Sequence, residues 1–427
     1  MKYFWFRRDL RLNDNVGLRA ALQSGEKVQP VFIFDEEILN ELPKNDARVT
    51  FIHTKLEEIN EALKQYQSSI LVKHGKPLEI WKDLVKRDHV NGLYFNHDYE
   101  PYALQRDKAV TDLFEKKGHE VKSFKDHVFF EKNEVLKEDG DPYVVYTPYK
   151  NKWLEKLKAV GIEKPEKEEQ YFNEFLHSDY VIPSLSSIGF EKSTIEAPAY
   201  NLKYVKDYDK HRNDPAADRT TQIGHHLRFG TVSIRALVAF AKEKNHVFLS
   251  ELIWRDFFSQ ILYHFPKVVD QNFREKYNGI EWRNNEEEFK KWCEGKTGYP
   301  IVDAGMRQLN ETGFMHNRVR MITGSFLVKH LLVDWRWGEA YFAEKLLDYD
   351  LASNNGNWQW VAGTGCDAAP YFRVFNPSSQ QDKFDKDYTY VKRWVKEYGT
   401  EKYPQPMVEH KMARQRALDT YKKGIEG

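Results

Sequence analysis

Residues 2–34, which read KYFWFRRDLRLNDNVGLRAALQSGEKVQPVFIF, decide the fold of the first part of the chain. The apolar runs 2–6 and 28–34 predict two β-strands, and residues 16–23 between them predict an amphipathic helix. The same alternation continues to residue 130, with strands predicted at 70–73, 92–96 and 120–124 and helices at 46–66, 78–87 and 101–117. Strand–helix alternation at this spacing predicts an α/β domain, residues 1–130, built on a doubly wound parallel sheet.

Neither a G-x-G-x-x-G turn nor a G-x-x-x-x-G-K-[ST] loop occurs in this domain, so both standard phosphate-binding fingerprints are missing. Sheets of this kind bind ligands at the carboxyl ends of their strands. The sequence does not say which ligand this one takes.

Residues 131–203 are charged and irregular, which predicts a long linker between two domains. Beyond it the strand pattern disappears, and residues 204–427 predict an all-helical domain. Pro300 stands where a helix begins and Gly313 where one ends. The helical periodicity covers residues 233–242, 248–263, 286–294, 302–311, 315–332 and 338–347. Helical domains of this size commonly hold a cofactor between their helices.

Composition narrows the class of protein. Lysine and arginine together number 65, as do aspartate and glutamate, so the formal net charge is zero. Any nucleic-acid site must therefore be a local basic patch, because the protein as a whole carries no excess positive charge. No apolar stretch is long enough to span a membrane, and the N-terminus lacks the features of a secretory signal. With only two cysteines, Cys293 and Cys366, there is no disulfide framework, and the reducing cytoplasm is the expected location.

Aromatic residues make up 15% of the chain, and eight of the eleven tryptophans lie at or beyond Trp254. Glu251 and Trp254 stand three apart and share one face of a predicted helix. Two interpretations are open. Either Glu251 is a solvated charge beside a core tryptophan, or the pair forms a binding surface on which Trp254 stacks with a flat heterocycle and Glu251 hydrogen-bonds its edge.

Two further groups of residues leave similar alternatives open. Asn317 and Met321 share a second helix face with Arg318 beside them, a set that suits either a base-and-phosphate contact or ordinary core contacts. Trp358 and Trp360 follow residues 354–357, Asn-Asn-Gly-Asn, which predict a polar turn.

Five stretches decide between these alternatives by resemblance. They are residues 5–12 (WFRRDLRL), 298–307 (GYPIVDAGMR), 315–318 (MHNR), 350–360 (DLASNNGNWQW) and 371–377 (YFRVFNP). In this order and spacing the chain resembles the photolyase/cryptochrome family over nearly its whole length. Within that family it looks like the bacterial-type (class I) cyclobutane pyrimidine dimer photolyases, light-driven DNA-repair enzymes that bind FAD.

The resemblance implies a pocket for a pyrimidine dimer that is flipped out of damaged DNA, since a dimer inside the stack cannot approach a buried flavin. Its lining is implied to be Glu251, Trp254, Asn317, Arg318, Met321 and Trp360. Glu251 is implied to hydrogen-bond a pyrimidine carbonyl and to stabilise the dimer radical anion. Arg212, Arg318 and Arg373 are implied to hold the phosphates around the lesion.

The resemblance also implies the flavin site. Tyr208, Thr220 and Thr221 match the segment that binds the FAD phosphates, although Gln222 and Gly224 stand where the family carries a basic residue and a serine. Arg320, Asp348, Asp350 and Asn354 resemble the set around the isoalloxazine ring. Asn354 matches the position that faces flavin N5, where plant cryptochromes carry aspartate, and asparagine favours repair.

Trp358, Trp335 and Trp282 match the family's chain of three tryptophans from the flavin to the surface, the implied route for photoreduction. This chain does not distinguish repair from signalling. Without the resemblance, three core tryptophans are the simpler interpretation.

Substrate type follows from residues 315–318, where one histidine precedes Asn317. Enzymes for the (6-4) photoproduct resemble this region but carry paired histidines. A single histidine followed by asparagine is the pattern of the cyclobutane dimer photolyases.

A histidine pair occurs elsewhere in the chain, at His225 and His226, in the FAD-phosphate segment. This pair is interpreted as structural, with no metal site expected.

A second, antenna chromophore of unknown identity is common in the family's N-terminal domain. Tyr102 and Ala103 stand where folate-binding relatives carry an Asn-Glu pair, which argues against folate. A deazaflavin, a second flavin and an empty site stay open.

The sequence therefore predicts a monomer that repairs cyclobutane dimers in DNA, without a membrane partner. The rival functions are a blue-light photoreceptor, a (6-4) photolyase and a flavin-binding electron carrier without DNA contacts.

Overall fold

A computed structural model describes residues 1–87, 89–163 and 168–426. Within them the chain divides into two compact units. The first unit comprises Met1–Glu134, Glu155–Ala199 and Ile223–Glu243, and the second comprises Val135–Leu154, Tyr200–Gln222 and Lys244–Gly427. The predicted division at 1–130, 131–203 and 204–427 remains a prediction, and residues 164–167 of the predicted linker lie outside the described residues.

The first unit contains a five-stranded parallel sheet with strand order β3-β2-β1-β4-β5. Its strands are β1 Lys2–Phe6, β2 Val28–Asp35, β3 Leu71–Gly75, β4 Gly92–Asn96 and β5 Glu120–Phe124. The first five helices lie between or beside these strands: α1 Val16–Leu22, α2 Glu36–Leu39, α3 Ala47–Lys64, α4 Pro77–Leu84 and α5 Pro101–Glu115. The predicted α/β sheet is confirmed, because all five strands are present within two residues of their predicted bounds.

The sheet is buried on both faces, as the apolar runs of β1 and β2 require. Side chains alternate along β1, so that Phe4 and Phe6 join one hydrophobic cluster while Tyr3 and Trp5 join the other. Helices α1 and α3 cover the first face, and α4 and α5 cover the second. This two-sided core makes the sheet doubly wound.

In the described residues beyond the sheet, the regular structure is helical. The helices are α6 Tyr146–Val160, α7 Tyr208–His211, α8 Gly224–Arg228, α9 Ile234–Lys244, α10 His246–His264, α11 Glu286–Cys293, α12 Pro300–Thr312, α13 Asn317–Ser325, α14 Trp335–Lys345, α15 Leu351–Ala362, α16 Pro377–Phe384, α17 Thr389–Trp394 and α18 His410–Glu426. The core of the second unit is aromatic and includes Trp292, Trp335 and Trp358. The predicted helical character of the C-terminal part of the chain is confirmed.

Three predicted elements differ from the structure. The segment predicted as an irregular linker contains α6, a helix of 15 residues. The single helix predicted over residues 315–332 ends at Ser325 and continues as one π-helical turn, Phe326–His330. Leu331 N–H there reaches back five residues to Phe326 O at 3.2 Å.

The polar turn predicted at residues 354–357 is wrong, because these residues lie inside α15. Asp350 caps the helix by accepting a hydrogen bond from Ser353 N at 3.0 Å. The buried Asn355 amide donates to Val268 O at 2.8 Å. A Cβ on Gly356 would lie 2.1 Å from the Phe258 ring, so glycine serves close helix contact rather than a turn. Tertiary contacts override the local turn preference.

Within the described ranges, no helix is both long and apolar enough to cross a membrane. The same residues contain no group of three or more metal-ligating side chains in a position to hold an ion.

Candidate flavin and lesion site

A cavity in the second unit lies among α13, α14 and α15. Apolar walls come from residues such as Phe342, Leu346 and Val361, and polar groups converge between them. Eight residues predicted for the site line this cavity: Asn317, Arg320, Met321, Asp348, Asp350, Asn354, Trp358 and Trp360. Predicted flavin residues and predicted dimer residues therefore share one cavity.

Arg320 and Asp348 form the charged edge of the cavity. One guanidinium nitrogen of Arg320 lies 3.1 and 2.9 Å from the two carboxylate oxygens of Asp348. The Arg320 Nε–H donates to Met315 O at 2.8 Å, which fixes the guanidinium plane. Gly324 lines the same cavity, and a Cβ there would come within 3.3 Å of Val361. This set of a cation, an anion, an amide and apolar walls fits a flat heterocycle with N–H and C=O edges.

Asn354 is held by Glu339, a residue on α14 that the sequence did not single out. Its Nδ2 donates to Glu339 O at 3.0 Å and to Glu339 Oε1 at 2.8 Å. Burial raises the pKa of Glu339, and the Asn354 hydrogen bond opposes that shift. Because both amide protons are engaged, the Asn354 Oδ1 is the atom that remains to accept a hydrogen bond.

The predicted phosphate-binding residues are not among those that line this cavity. Tyr208 begins α7, and its ring packs edge-on against Phe248 at 5.3 Å. Thr220 Oγ1 accepts from Gln222 Nε2 at 3.1 Å, and Thr221 is buried. The hydrogen bond uses the amide of Gln222, the residue that replaces the family's basic one.

Glu251 on α10 pairs with Arg212, 2.7 Å away. Burial raises the pKa of Glu251, and the neighbouring guanidinium opposes the rise. The Arg212 guanidinium also lies over the Tyr208 ring at 5.5 Å. The structure therefore brings together Glu251, the predicted catalytic carboxylate, Arg212, which is predicted to bind a DNA phosphate, and Tyr208, which is predicted to bind the flavin.

Arg212, Arg318 and Arg373 influence one another electrostatically. Burial lowers the pKa of Arg318, and the positive charges of Arg212 and Arg373 lower it further. Arg318 donates to the Asn213 Oδ1 at 3.1 and 2.7 Å, while the Arg373 side chain is exposed. In the described part of the chain, neither Arg318 nor Arg373 forms an ion pair with a carboxylate. The predicted trio forms a positive patch.

Trp254 and Trp360 are both half-buried, and Trp360 lines the cavity. The Trp254 ring stacks on Tyr146 with centroids 3.5 Å apart and planes 6° apart. Tyr146 lies in the segment predicted as a linker, and sequence reasoning missed it.

The three predicted electron-carrying tryptophans join one hydrophobic cluster, in which Trp358 and Trp335 are buried and Trp282 is partly exposed. Trp358 lies 6.2 Å from Trp292 and 4.9 Å from Phe342, ring centre to ring centre. A Cβ on Gly338 would lie 2.2 Å from the Trp358 ring, so this glycine makes room for the indole. The sequence analysis did not predict a role for Trp292. The only signal for it was the high tryptophan content of this half of the chain.

Comparisons with known proteins agree with this geometry. The family model "DNA photolyase" matches residues 3–169, and the model "FAD binding domain of DNA photolyase" matches residues 248–400. The deoxyribodipyrimidine photo-lyase of Halobacterium salinarum is 34% identical over 478 residues, which covers 99% of each chain. The chain belongs to the DNA photolyase family.

Solved photolyase structures share the whole fold. A bacterial class III photolyase from Agrobacterium tumefaciens superposes with a TM-score of 0.88 at 33% identity, covering 100% of this chain and 98% of that one. An archaeal photolyase from Sulfolobus tokodaii, solved with two FAD molecules, gives a TM-score of 0.84 at 35% identity and covers 99% of both chains. The predicted membership in the photolyase/cryptochrome family and the predicted FAD cofactor are confirmed.

His225 and His226 of this photolyase meet at one backbone carbonyl. Their Nε2 atoms lie 2.9 and 3.1 Å from Pro198 O, and both rings contact Phe51 edge-on. Burial lowers the pKa of His226 to about 4, so this ring is neutral near pH 7. These contacts support the structural interpretation of the pair.

Tyr102, at the position that argues against folate, lies at the carboxyl edge of the sheet. Its hydroxyl donates to the Asp35 Oδ2 at 2.7 Å, and the Arg106 guanidinium lies over its ring at 5.6 Å. Ala103 is buried. Neither residue offers the polar side chain of the Asn-Glu pair.

Proposed function

We propose that this photolyase repairs cyclobutane pyrimidine dimers in DNA by light-driven electron transfer from FAD held in its second unit. One observation carries the proposal: Arg320, Asp348 and Asn354 line the same cavity as Asn317, Met321 and Trp360. A flavin and a flipped base bound there would be within contact distance of each other. Full-length similarity to deoxyribodipyrimidine photo-lyases supports the assignment.

FAD held by Arg320, Asp348 and Asn354 would supply light-driven electron transfer to and from the lesion, which opens the cyclobutane ring with no net redox change. The protein supplies binding, orientation and electrostatics. Arg320 and Asp348 offer a donor and an acceptor to the ring edge. Asn354, oriented by Glu339, presents the carbonyl oxygen of its amide to an N–H in the cavity. This arrangement suits a reduced flavin, because the reduced ring carries a proton on N5.

The lesion must leave the base stack to reach this cavity. A dimer already weakens stacking and pairing, which lowers the few kcal/mol that extrusion costs. Trp254 and Trp360 supply flat apolar walls for the extruded bases. Glu251, whose pKa is raised by burial, offers in its protonated form one donor and one acceptor, which match the C=O and N–H of a pyrimidine edge.

Arg212, Arg318 and Arg373 hold phosphates on either side of the lesion. Their mutual repulsion is relieved when DNA phosphates arrive, so the patch favours an anionic partner. This local patch gives an electrically neutral chain its affinity for DNA.

With FAD bound, Trp358, Trp335 and Trp282 would form the route by which electrons from a reductant in solution reach and reduce the oxidised cofactor. Membership of all three in one hydrophobic cluster supports the route. Trp292 also lies beside Trp358, with ring centroids 6.2 Å apart, and is a second candidate for exchanging an electron with Trp358.

The dimer rather than the (6-4) photoproduct is supported by the state of His316. This side chain is buried, and its Nδ1 accepts a hydrogen bond from Arg318 N at 3.2 Å as the cap of α13. Burial, followed by the charge of Arg320, lowers the pKa of His316 to about 4. A neutral imidazole committed to a helix cap is poorly suited to protonate a substrate.

The proposal also states that the protein is a monomer and acts in the cytoplasm. It leaves room for a second, antenna chromophore, whose identity is unknown. The free state of Cys293 and Cys366 is compatible with a reducing compartment. The second FAD molecule of the Sulfolobus tokodaii photolyase shows that a relative carries more than one chromophore.

The proposal is tested with two oligonucleotides, one carrying a cyclobutane thymine dimer and one a (6-4) photoproduct. Each is incubated with the flavin-loaded, reduced protein in the light and in the dark, and intact bases are counted by chromatography. We expect loss of the cyclobutane dimer in the light alone and no loss of the (6-4) product. Repair of the (6-4) product instead, or of neither lesion, would contradict the proposal and favour a rival function.

A further inference from the structure

Tyr146 makes the tightest aromatic stack with a predicted lesion-binding residue. Its ring lies 3.5 Å from that of Trp254, and the planes differ by 6°. The Tyr146 hydroxyl donates to Ser250 O at 2.7 Å, one helical turn before Trp254 on α10. Tyr146 therefore holds both the indole and the backbone of the helix that carries it.

The backbone of Tyr146 contacts a second part of the site. Its N–H donates to the Asp367 Oδ2 at 3.1 Å. Asp367 follows α15, the helix of Trp360, and precedes the stretch that carries Arg373. One residue thus connects the helix of Trp254 with the chain that follows the helix of Trp360.

Buried contacts fix the position of Tyr146. One turn further along α6, Tyr149 packs against Phe257 with ring centroids 5.3 Å apart. Trp153 Nε1 donates to the Asp256 Oδ2 at 2.9 Å, and both side chains are buried. The start of α6 is therefore anchored on α10 independently of Trp254.

We propose that Tyr146 is a positioning residue for lesion recognition, which holds the Trp254 indole in the orientation that stacks on the flipped dimer. This inference rests on the proposed function. A half-buried tryptophan without a fixed neighbour samples several rotamers, and binding must then select one of them. Tyr146 covers one face of the indole, and the rings of Phe257 and Phe258 pack against it with centroids 5.6 and 5.4 Å away. The indole is therefore ordered before the lesion arrives, and its exposed part is left for a pyrimidine. A stacked aromatic pair of this kind contributes a factor of about 3 to 10 in an equilibrium constant.

The test measures binding in the dark, with flavin-loaded protein, to one oligonucleotide that carries a cyclobutane thymine dimer and to its undamaged counterpart. The variants are Tyr146→Leu, Tyr146→Phe, Trp254→Ala and the double variant Tyr146→Leu/Trp254→Ala. We expect Tyr146→Leu to weaken binding to the dimer by about 3- to 10-fold and to leave binding to undamaged DNA unchanged. Tyr146→Phe keeps the ring and should retain most of the affinity.

The double variant separates positioning from general destabilisation. If Tyr146 acts through Trp254, Tyr146→Leu should have no further effect once Trp254→Ala is present, because the two changes remove the same interaction. Additive losses, or equal losses on damaged and undamaged DNA, would overturn the proposal. Tyr146→Met, which replaces the flat ring by an unbranched side chain that adapts to its surroundings, replaces Tyr146→Leu if the latter purifies without flavin.

The wild-type protein is the reference that distinguishes the two proposals. If it binds both oligonucleotides equally, the proposed function fails. If it prefers the dimer and Tyr146→Leu retains that preference in full, only the role of Tyr146 fails.

Discussion

Arg318 and Arg373 of the second unit differ from a group of arginines in the first unit, because a carboxylate neutralises each arginine of that group. In the first unit, Arg11 and Arg235 both contact Asp126, each at 2.7 Å. Arg8 pairs with Asp98 and with Glu100. In the second unit, Arg318 and Arg373 have no such partner among the described residues. The paired guanidinium groups stabilise the fold, whereas the unpaired ones are available to an anionic ligand.

The energetic reason lies in the cost of burying charge. Asp126 is buried, and two guanidinium groups offset the penalty for removing its carboxylate from water. Burial raises the pKa of Asp126, but Arg11 and Arg235 outweigh it and hold the pKa below its usual value. An exposed arginine such as Arg373 incurs little penalty, so it needs no partner until DNA binds.

Removal of Asp126 should give the largest effect. Asp126→Ala removes the carboxylate that Arg11 and Arg235 share and leaves Arg235 with Asp14 alone. We expect a loss of about 3–5 kcal/mol in the free energy of unfolding, measured with urea. The matched control is Asp112→Ala, which breaks the exposed Lys108–Asp112 pair and should cost less than about 1 kcal/mol. Equal losses in the two variants would show that the network of the first unit is not structural.

The same carboxylate makes a prediction about pH. The folded pKa of Asp126 is lower than the unfolded one, so its contribution to stability is full above the unfolded value and is lost as pH falls through the folded value. The wild type should therefore lose more stability than Asp126→Ala as pH is lowered below about 4.

The tryptophans of the two units should also differ in role, with those of the proposed electron route acting in photoreduction and those of the first unit only in the core. Trp282→Phe is expected to abolish light-driven reduction of the oxidised cofactor, because it removes the exposed end of the proposed electron route. Repair by chemically reduced protein should survive. Trp81→Phe, in the buried core of the first unit, is the control and should leave photoreduction unchanged. Undiminished photoreduction in Trp282→Phe would exclude the proposed route.

Removal of an unpaired arginine should affect DNA binding and not folding. Arg318→Ala is expected to weaken binding to dimer-containing DNA by about 10-fold, the loss of one charge-assisted phosphate contact. The slope of log affinity against log salt should also fall by about 0.9. Arg414→Ala, an exposed arginine on α18, is the control and should change neither quantity. An unchanged salt slope in Arg318→Ala would contradict its contact with phosphate.

The smallest effect concerns Glu251, where pairing with Arg212 and burial oppose each other. Because burial raises its pKa, affinity for the dimer should decline by a few-fold as pH rises through that pKa and the proton is lost. Glu251→Gln keeps a donor and an acceptor without titrating, so its binding should be independent of pH over that range. A parallel decline in the variant would assign the pH dependence to another group.

The sequence predicted the sheet well because its central strands β1, β2 and β4 are buried along their whole length, and such strands read as largely apolar runs. It failed at residues 354–357, where Asp350 and the close approach of Gly356 to Phe258 produce a helix from turn-forming residues. Local preference carries no information on either contact.

The site was predicted unevenly for a related reason. Resemblance supplied residues such as Arg320, Asp348 and Asn354, which lie together in the cavity. It did not supply Glu339, which contacts Asn354 from α14, or Tyr146, which contacts Trp254 from α6. Neither lies near its partner in the sequence, so only the folded chain reveals the contact.

The most direct test of the account is the fluorescence of reduced flavin bound to the protein, titrated with DNA. If the flavin and the lesion share the cavity of the second unit, electron transfer to the dimer should quench that fluorescence to a saturating level, and undamaged DNA of the same sequence should not. Fluorescence unaffected by a dimer that is shown by anisotropy to be bound would contradict the shared cavity.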